Sequence, residues 1–135
     1  MQCIEAALDT HSAPPGDVSV LLTDDIEMRE LNMRFRGVDS ATDVLTFPAP
    51  PTAIGHLGEI AVSLDFAAKQ AESRGVSVED EAAMLVIHGA LHLAGFDDGT
   101  ESERSDMVLQ MNKIATICGV PTDEKWHSVP HGVED

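Results

Sequence analysis

The chain has 135 residues, 43% of them hydrophobic, and a formal net charge of −16 at pH 7. That length suits a single domain with its own core, and the apolar share excludes wholesale disorder. The charge excludes a free-standing, non-specific nucleic-acid binder. Phosphate chemistry on so acidic a chain needs locally placed cations, a metal or a partner that delivers the substrate.

No apolar run reaches membrane-spanning length, and the first residues lack the charged start, apolar centre and cleavage site of a signal peptide. Cys3 and Cys118 are too few and too separated for a disulfide framework. A reducing, cytoplasmic setting is therefore expected.

In chain order, Ile4 and Leu8 predict a short helix or helix remnant over 2–9, and Pro14-Pro15-Gly16 a turn. Val18 to Leu22 reads as a strand. Thr23, Asp24 and Asp25 offer caps to a helix whose apolar face is Met28, Leu31 and Phe35 and whose end is Gly37. Thr42 to Phe47 is β-branched and apolar, a strand closed by Pro48. A proline-rich loop leads to a strand over Leu57 to Ser63 that carries one acid, Glu59.

Leu64, Ala67, Ala68 and Ala71 mark a helix stopped by Gly75. Ser77 caps the next, about Val78 to Ala94, with Glu79, Asp80 and Glu81 in its first turn. From Ala82 to Leu93 this helix is apolar on every side, which predicts a central, buried position. Thr100 and Glu103 form a capping-box pair for a last helix with core stripe Met107, Met111, Ile114 and Cys118. One domain over 1–118 is expected. Past Gly119 the periodicity fades, and an acidic, loosely ordered tail over 119–135 follows, part of it docked by Trp126.

The chemistry concentrates in His88-Gly89-Ala90-Leu91-His92-Leu93-Ala94-Gly95-Phe96-Asp97-Asp98. Histidines four apart on a helix leave the same face about 6 Å from one another. Gly95 ends the helix, and Asp98 returns as a third potential ligand. For a bare pair of this kind, core hydrogen bonding is the commoner fate, with a metal in roughly one case in three. The acidic turn tips the balance toward metal, while Asp97 and Asp98 also suit capping of the next helix. Two imidazoles and a carboxylate suit zinc or a similar transition ion. The zinc-protease helix carries glutamate directly after its first histidine as general base. Here that place is Gly89, which weakens a peptidase reading more than a metal reading.

The His-Gly-x-Leu-His-Leu-x-Gly-Phe-Asp run resembles the signature of the YbeY family, metal-dependent endoribonucleases also called ribosomal RNA maturation factors. The resemblance continues in Val18-Ser19-Val20 with Thr23-Asp24-Asp25, in Leu31-Asn32 with Phe35-Arg36-Gly37, in Thr42-Asp43-Val44-Leu45-Thr46-Phe47 and in Gly58-Glu59-Ile60-Ala61-Val62-Ser63. It covers roughly residues 18–115, in order and spacing.

It implies an α+β fold: a small mixed β-sheet packed against helices, with a central buried helix carrying the histidines. It further implies hydrolysis of single-stranded RNA, maturation of ribosomal RNA (notably the small-subunit 3′ end), ribosome quality control, and the ribosome or its associated proteins as partners. The family's metal ligands fall on His88, His92 and Asp98. Its phosphate-directed arginine falls on Arg36, and His88 and Arg36 are the residues expected to carry catalysis.

Three departures stand out. Asp98 occupies the place where the family usually has a third histidine. Glu59 is one methylene longer than the usual aspartate. The family's first strand is expected to be missing before Val18. The general base is unassigned, with Glu59 and Asp97 as candidates. Against the nuclease stand two other readings, a non-catalytic ribosome-assembly module and a metallohydrolase acting on peptides or small molecules.

Overall fold

The computed structural model describes residues 17–50, 55–96 and 98–126. The helix expected over 2–9, the following turn and the question of a first strand lie outside them. Strand β1 (Asp17–Thr23) leads into helix α1 (Asp25–Arg36), and strands β2 (Val44–Pro48) and β3 (His56–Ser63) follow. Helices α2 (Leu64–Arg74), α3 (Val78–Leu93) and α4 (Glu101–Cys118) complete the described chain. The expected α+β class is the observed one.

Among the described residues the sheet has three strands in the order β1-β3-β2. β1 runs parallel to β3, with Val20 opposite Ile60, and β2 runs antiparallel to β3, with Thr46 opposite Ile60. The parallel pairing requires a long crossover, which α1 and β2 supply.

Alternation along the strands builds two cores. Val44, Ile60 and Val62 pack with Met84, Leu85, Ile87 and Leu91 of α3 and with Met107, Met111 and Ile114 of α4. A smaller cluster joins Leu45 and Ala61 to Met28 of α1, with Leu31 and Phe47 beside it.

Helix ends follow the expected chemistry. The side chains of Asp24, Ser63, Ser77 and Thr100 accept from backbone N–H groups of their first turns, and Thr100 with Glu103 closes a full capping box. As anticipated, α3 is the buried centre, its buried residues running from Glu81 to Leu91 and including His88 and Gly89. Gly89 has a packing reason to be glycine. A Cβ there would stand 2.8 Å from Cγ2 of Ile60 and 3.2 Å from Cγ2 of Thr46. The helix therefore lies against the sheet at a distance no larger side chain permits.

Three local expectations differ from the structure. Phe35, read as part of the apolar face of α1, is 59% exposed, its ring meeting Phe47 at the rim of the small cluster. Cys118 packs against the main core as its place in the stripe suggests, but it is disulfide-bonded, which the paucity of cysteines did not suggest. The described part of the expected tail, through Trp126, is packed rather than loose. Trp126 is 3% exposed and its Nε1 donates to Oε2 of buried Glu81 at 2.9 Å. Glu81 also pairs with Arg74, whose Nε reaches Asp123 at 2.9 Å. Asn112 accepts from Asp123 N at 2.9 Å and donates to its carbonyl at 3.2 Å, fastening the segment to α4. A buried carboxylate and a guanidinium thus satisfy each other while the indole seals them from water.

Candidate metal centre

His88 and His92 leave α3 on one face near its C-terminal end. The chain then turns sharply: N–H of Ala94 bonds the carbonyl of Ala90 at 2.9 Å and N–H of Phe96 that of Leu91 at 2.9 Å. Gly95 carries the turn at φ 108°, a backbone region that side-chain-bearing residues rarely enter. The turn brings Asp98 back over the histidines, where Arg104 of α4 donates to its carbonyl at 3.3 Å.

The result is a tight triangle of donors. Nε2 of His88 lies 3.2 Å from Nε2 of His92, and Oδ2 of Asp98 stands 3.5 Å from both. An ion with bonds of about 2.0–2.1 Å and tetrahedral angles holds its ligand atoms about 3.3–3.4 Å apart. The three atoms therefore form one face of such a polyhedron, and the group could hold a metal ion. Direct hydrogen bonding explains the arrangement less well, since 3.5 Å is long for a nitrogen–oxygen bond and one oxygen is shared by two rings.

The electrostatics agree with ligation. Burial holds the His88 pKa below the usual histidine range, the His92 charge adds to that, and the Asp98 and Asp43 carboxylates only partly oppose it. His88 thus stays neutral, the form that coordinates. The close approach of the His88 and His92 ring nitrogens holds the Asp98 carboxyl well below the ordinary carboxylate range, which favours the anionic, ligating form.

Two supporting residues were not assigned to the site from the sequence. Asp43, read as part of a strand, is fully buried just before β2. Its Oδ1 accepts from Val44 N at 2.8 Å, and its charge acts on His88. Trp126 lies on the other side, its ring centroid 5.2 Å from that of His88. A lone acid at the head of an apolar strand was a signal for Asp43. The lone tryptophan marked Trp126 as a docking residue, but nothing in the sequence placed it against His88.

His92 and Asp98 open onto a cleft of about 1080 Å³ whose walls include Arg36, at the end of α1, and Glu59, on β3. The sequence-nominated Arg36 and Glu59 thus share a cavity with two members of the donor trio, while His88 sits behind it, 3% exposed. His56 opens β3 and takes no part in the trio. His11, Asp97, His127 and His131 lie outside the described residues.

A helix-borne histidine pair, a carboxylate returned by a turn and an open cleft on one side is an arrangement that metal-dependent hydrolases use. The family model for Endoribonuclease YbeY matches residues 1–119. Endoribonuclease YbeY of Nautilia profundicola is 49% identical over 106 residues, 78% of this chain and 75% of that protein. The Chelativorans sp. (strain BNC1) relative is 45% identical over 107 residues, 76% of this chain and 66% of its own length. A solution structure from Thermotoga maritima superimposes with a TM-score of 0.61 at 32% identity, covering 87% of this chain and 78% of that one. The chain belongs to the YbeY endoribonuclease family.

Proposed function

We propose that this protein is a metal-dependent endoribonuclease that hydrolyses single-stranded RNA and acts in ribosomal RNA processing, including maturation of the small-subunit 3′ end. The observation that carries the reading is the 3.2–3.5 Å triangle of His88, His92 and Asp98, opening onto a cleft that also holds Arg36, in a chain of this family. No helix among the described residues is long and apolar enough to cross a membrane. A cytoplasmic site of action, with the ribosome or its associated proteins as partners, belongs to the same reading and rests on the family, not on the cysteines, since Cys118 is disulfide-bonded.

His88, His92 and Asp98 would hold the ion, and two imidazole nitrogens with one carboxylate favour zinc. When bound, such an ion acidifies water toward neutral pH and draws charge from a phosphoryl oxygen. Neutral His88, desolvated against Trp126, keeps its lone pair for coordination rather than for a proton. Asp98 contributes a negative charge where the family usually has a third imidazole. It would therefore lower the net positive charge around a bound ion and weaken the acidification that ion could supply. Arg36, across the cleft, supplies a fixed cation that holds the scissile phosphate and stabilises charge developing on its oxygens. A single well-placed cation is what a chain of net charge −16 needs at a phosphate site.

The test is cleavage of a single-stranded RNA beside a peptide mixture by the metal-loaded protein, with His88→Ala and Arg36→Ala alongside. RNA cleavage lost in both variants supports the reading. Peptide hydrolysis, or RNA cleavage untouched by His88→Ala, overturns it.

A further inference from the structure

The cleft holds a second feature that the phosphate chemistry does not use. Phe35, the penultimate residue of α1, is a large apolar ring left 59% exposed. Phe47 of β2 meets it edge to face, with centroids 5.2 Å apart and planes at 62°. Both rings line the same cleft as Arg36, His92 and Asp98. The Arg34 guanidinium lies 6.0 Å from the Phe35 centroid, at the outer range of cation–π contact. A phenylalanine buttressed edge to face by a second ring is held in orientation while its π-face stays open to the cleft.

Charge sharpens the point. Among the ionisable side chains named along this cleft, Arg36 faces two carboxylates, Glu59 and Asp98, on a chain of net charge −16. Phosphate contacts alone give little affinity to such a groove. Arg36 and an ion on the donor trio serve one phosphate, and for the rest of the substrate an acidic groove favours a contact indifferent to charge, which stacking of bases on aromatic rings supplies. The cavity, about 1080 Å³, exceeds what one small molecule requires and has room for more than one nucleotide.

We propose that Phe35, braced by Phe47, is the base-stacking platform of this cleft, receiving an unpaired nucleobase that flanks the phosphate held by Arg36. The inference rests on the endoribonuclease reading and adds to it a physical reason for single-stranded substrates: a base paired within a duplex cannot lie on the ring. Binding through the platform is also less sensitive to salt than binding through phosphates.

The experiment measures KM and kcat of the metal-loaded protein on a short single-stranded RNA for wild type, Phe35→Ala, Phe35→Leu and Phe35→Trp. A second arm walks one abasic nucleotide along the RNA. Loss of one stacked base raises KM roughly 5- to 150-fold. That rise is expected in Phe35→Ala and in Phe35→Leu, with kcat little changed, and Phe35→Trp restores wild-type KM. An abasic nucleotide at one flanking position reproduces the defect in wild type and adds nothing in Phe35→Ala.

If Phe35→Leu behaves as wild type and no abasic position matters, the ring is an apolar contact for a protein partner and the platform is wrong. The platform is equally overturned if Phe35→Ala keeps wild-type KM while wild type cleaves RNA, and the nuclease reading then stands intact. Failure of wild type itself to cleave RNA removes that reading, and the platform falls with it.

Discussion

Replacing Trp126 by Phe tests whether the segment after α4 belongs to the folded domain and supports the metal centre. The substitution keeps an aromatic ring but removes the N–H that donates to Oε2 of Glu81 at 2.9 Å. Glu81 is fully buried, so no water replaces the lost donor, and Arg74 remains its partner. A hydrogen bond to a charged group is worth about 1.5–3 kcal/mol. The smaller ring gives up roughly 40 Å² of buried apolar surface, about 1 kcal/mol.

The expected loss is about 2.5–4 kcal/mol, a large fraction of the stability of an ordinary domain. With an unfolding entropy of about 2.1 cal/mol/K per residue, 135 residues give about 0.28 kcal/mol/K, so Tm falls by about 9–14 °C. Urea denaturation of wild type and Trp126→Phe checks this. The midpoint should drop with an unchanged m-value. A change below about 0.5 kcal/mol, the size of an ordinary surface substitution, refutes the reasoning.

Gly89→Ala gains about 1 kcal/mol of helix propensity but drives a methyl to 2.8 Å from Ile60, whose own methyls are fully buried. Overpacking of about 1–3 kcal/mol outweighs the gain, so a urea midpoint at or above the wild-type value contradicts the packing assigned to that helix. Metal-stripped protein should lose stability as pH falls below about 6.5. The unfolded chain then takes up a proton that buried His88, with its lowered pKa, does not, at up to about 1.4 kcal/mol per pH unit. His88→Gln should flatten this part of a Tm–pH profile. The Asp98 contribution has the same sign but a lower window, lost only as pH falls below the ordinary aspartate value. Asp98→Ala should weaken zinc binding in a competition titration by roughly tenfold or more, and an unchanged affinity would remove Asp98 from the ligand set.

Much of this architecture is legible along the chain because local and tertiary preferences agree there. Caps at Asp24, Ser63, Ser77 and Thr100 mark the starts of helices, and the all-round apolarity of α3 marks it as the centre. The donor trio was legible too, since helical spacing and a glycine turn fix geometry from local rules alone. What escaped depends on distant partners. Phe35 fits a helical stripe well, but whether that stripe is covered depends on how α1 sits on the sheet. Asp43 reads as a strand residue until β3, α2 and α3 close around it. Trp126 was legible as a docking residue, but not its partner, a buried carboxylate 45 residues earlier.

Metal content of the purified protein is the most direct test of the centre. One transition ion per chain is expected for wild type, and none is retained by folded His88→Ala or His92→Ala protein. Equal metal in wild type and in both histidine variants would contradict the assignment of His88, His92 and Asp98 as the site.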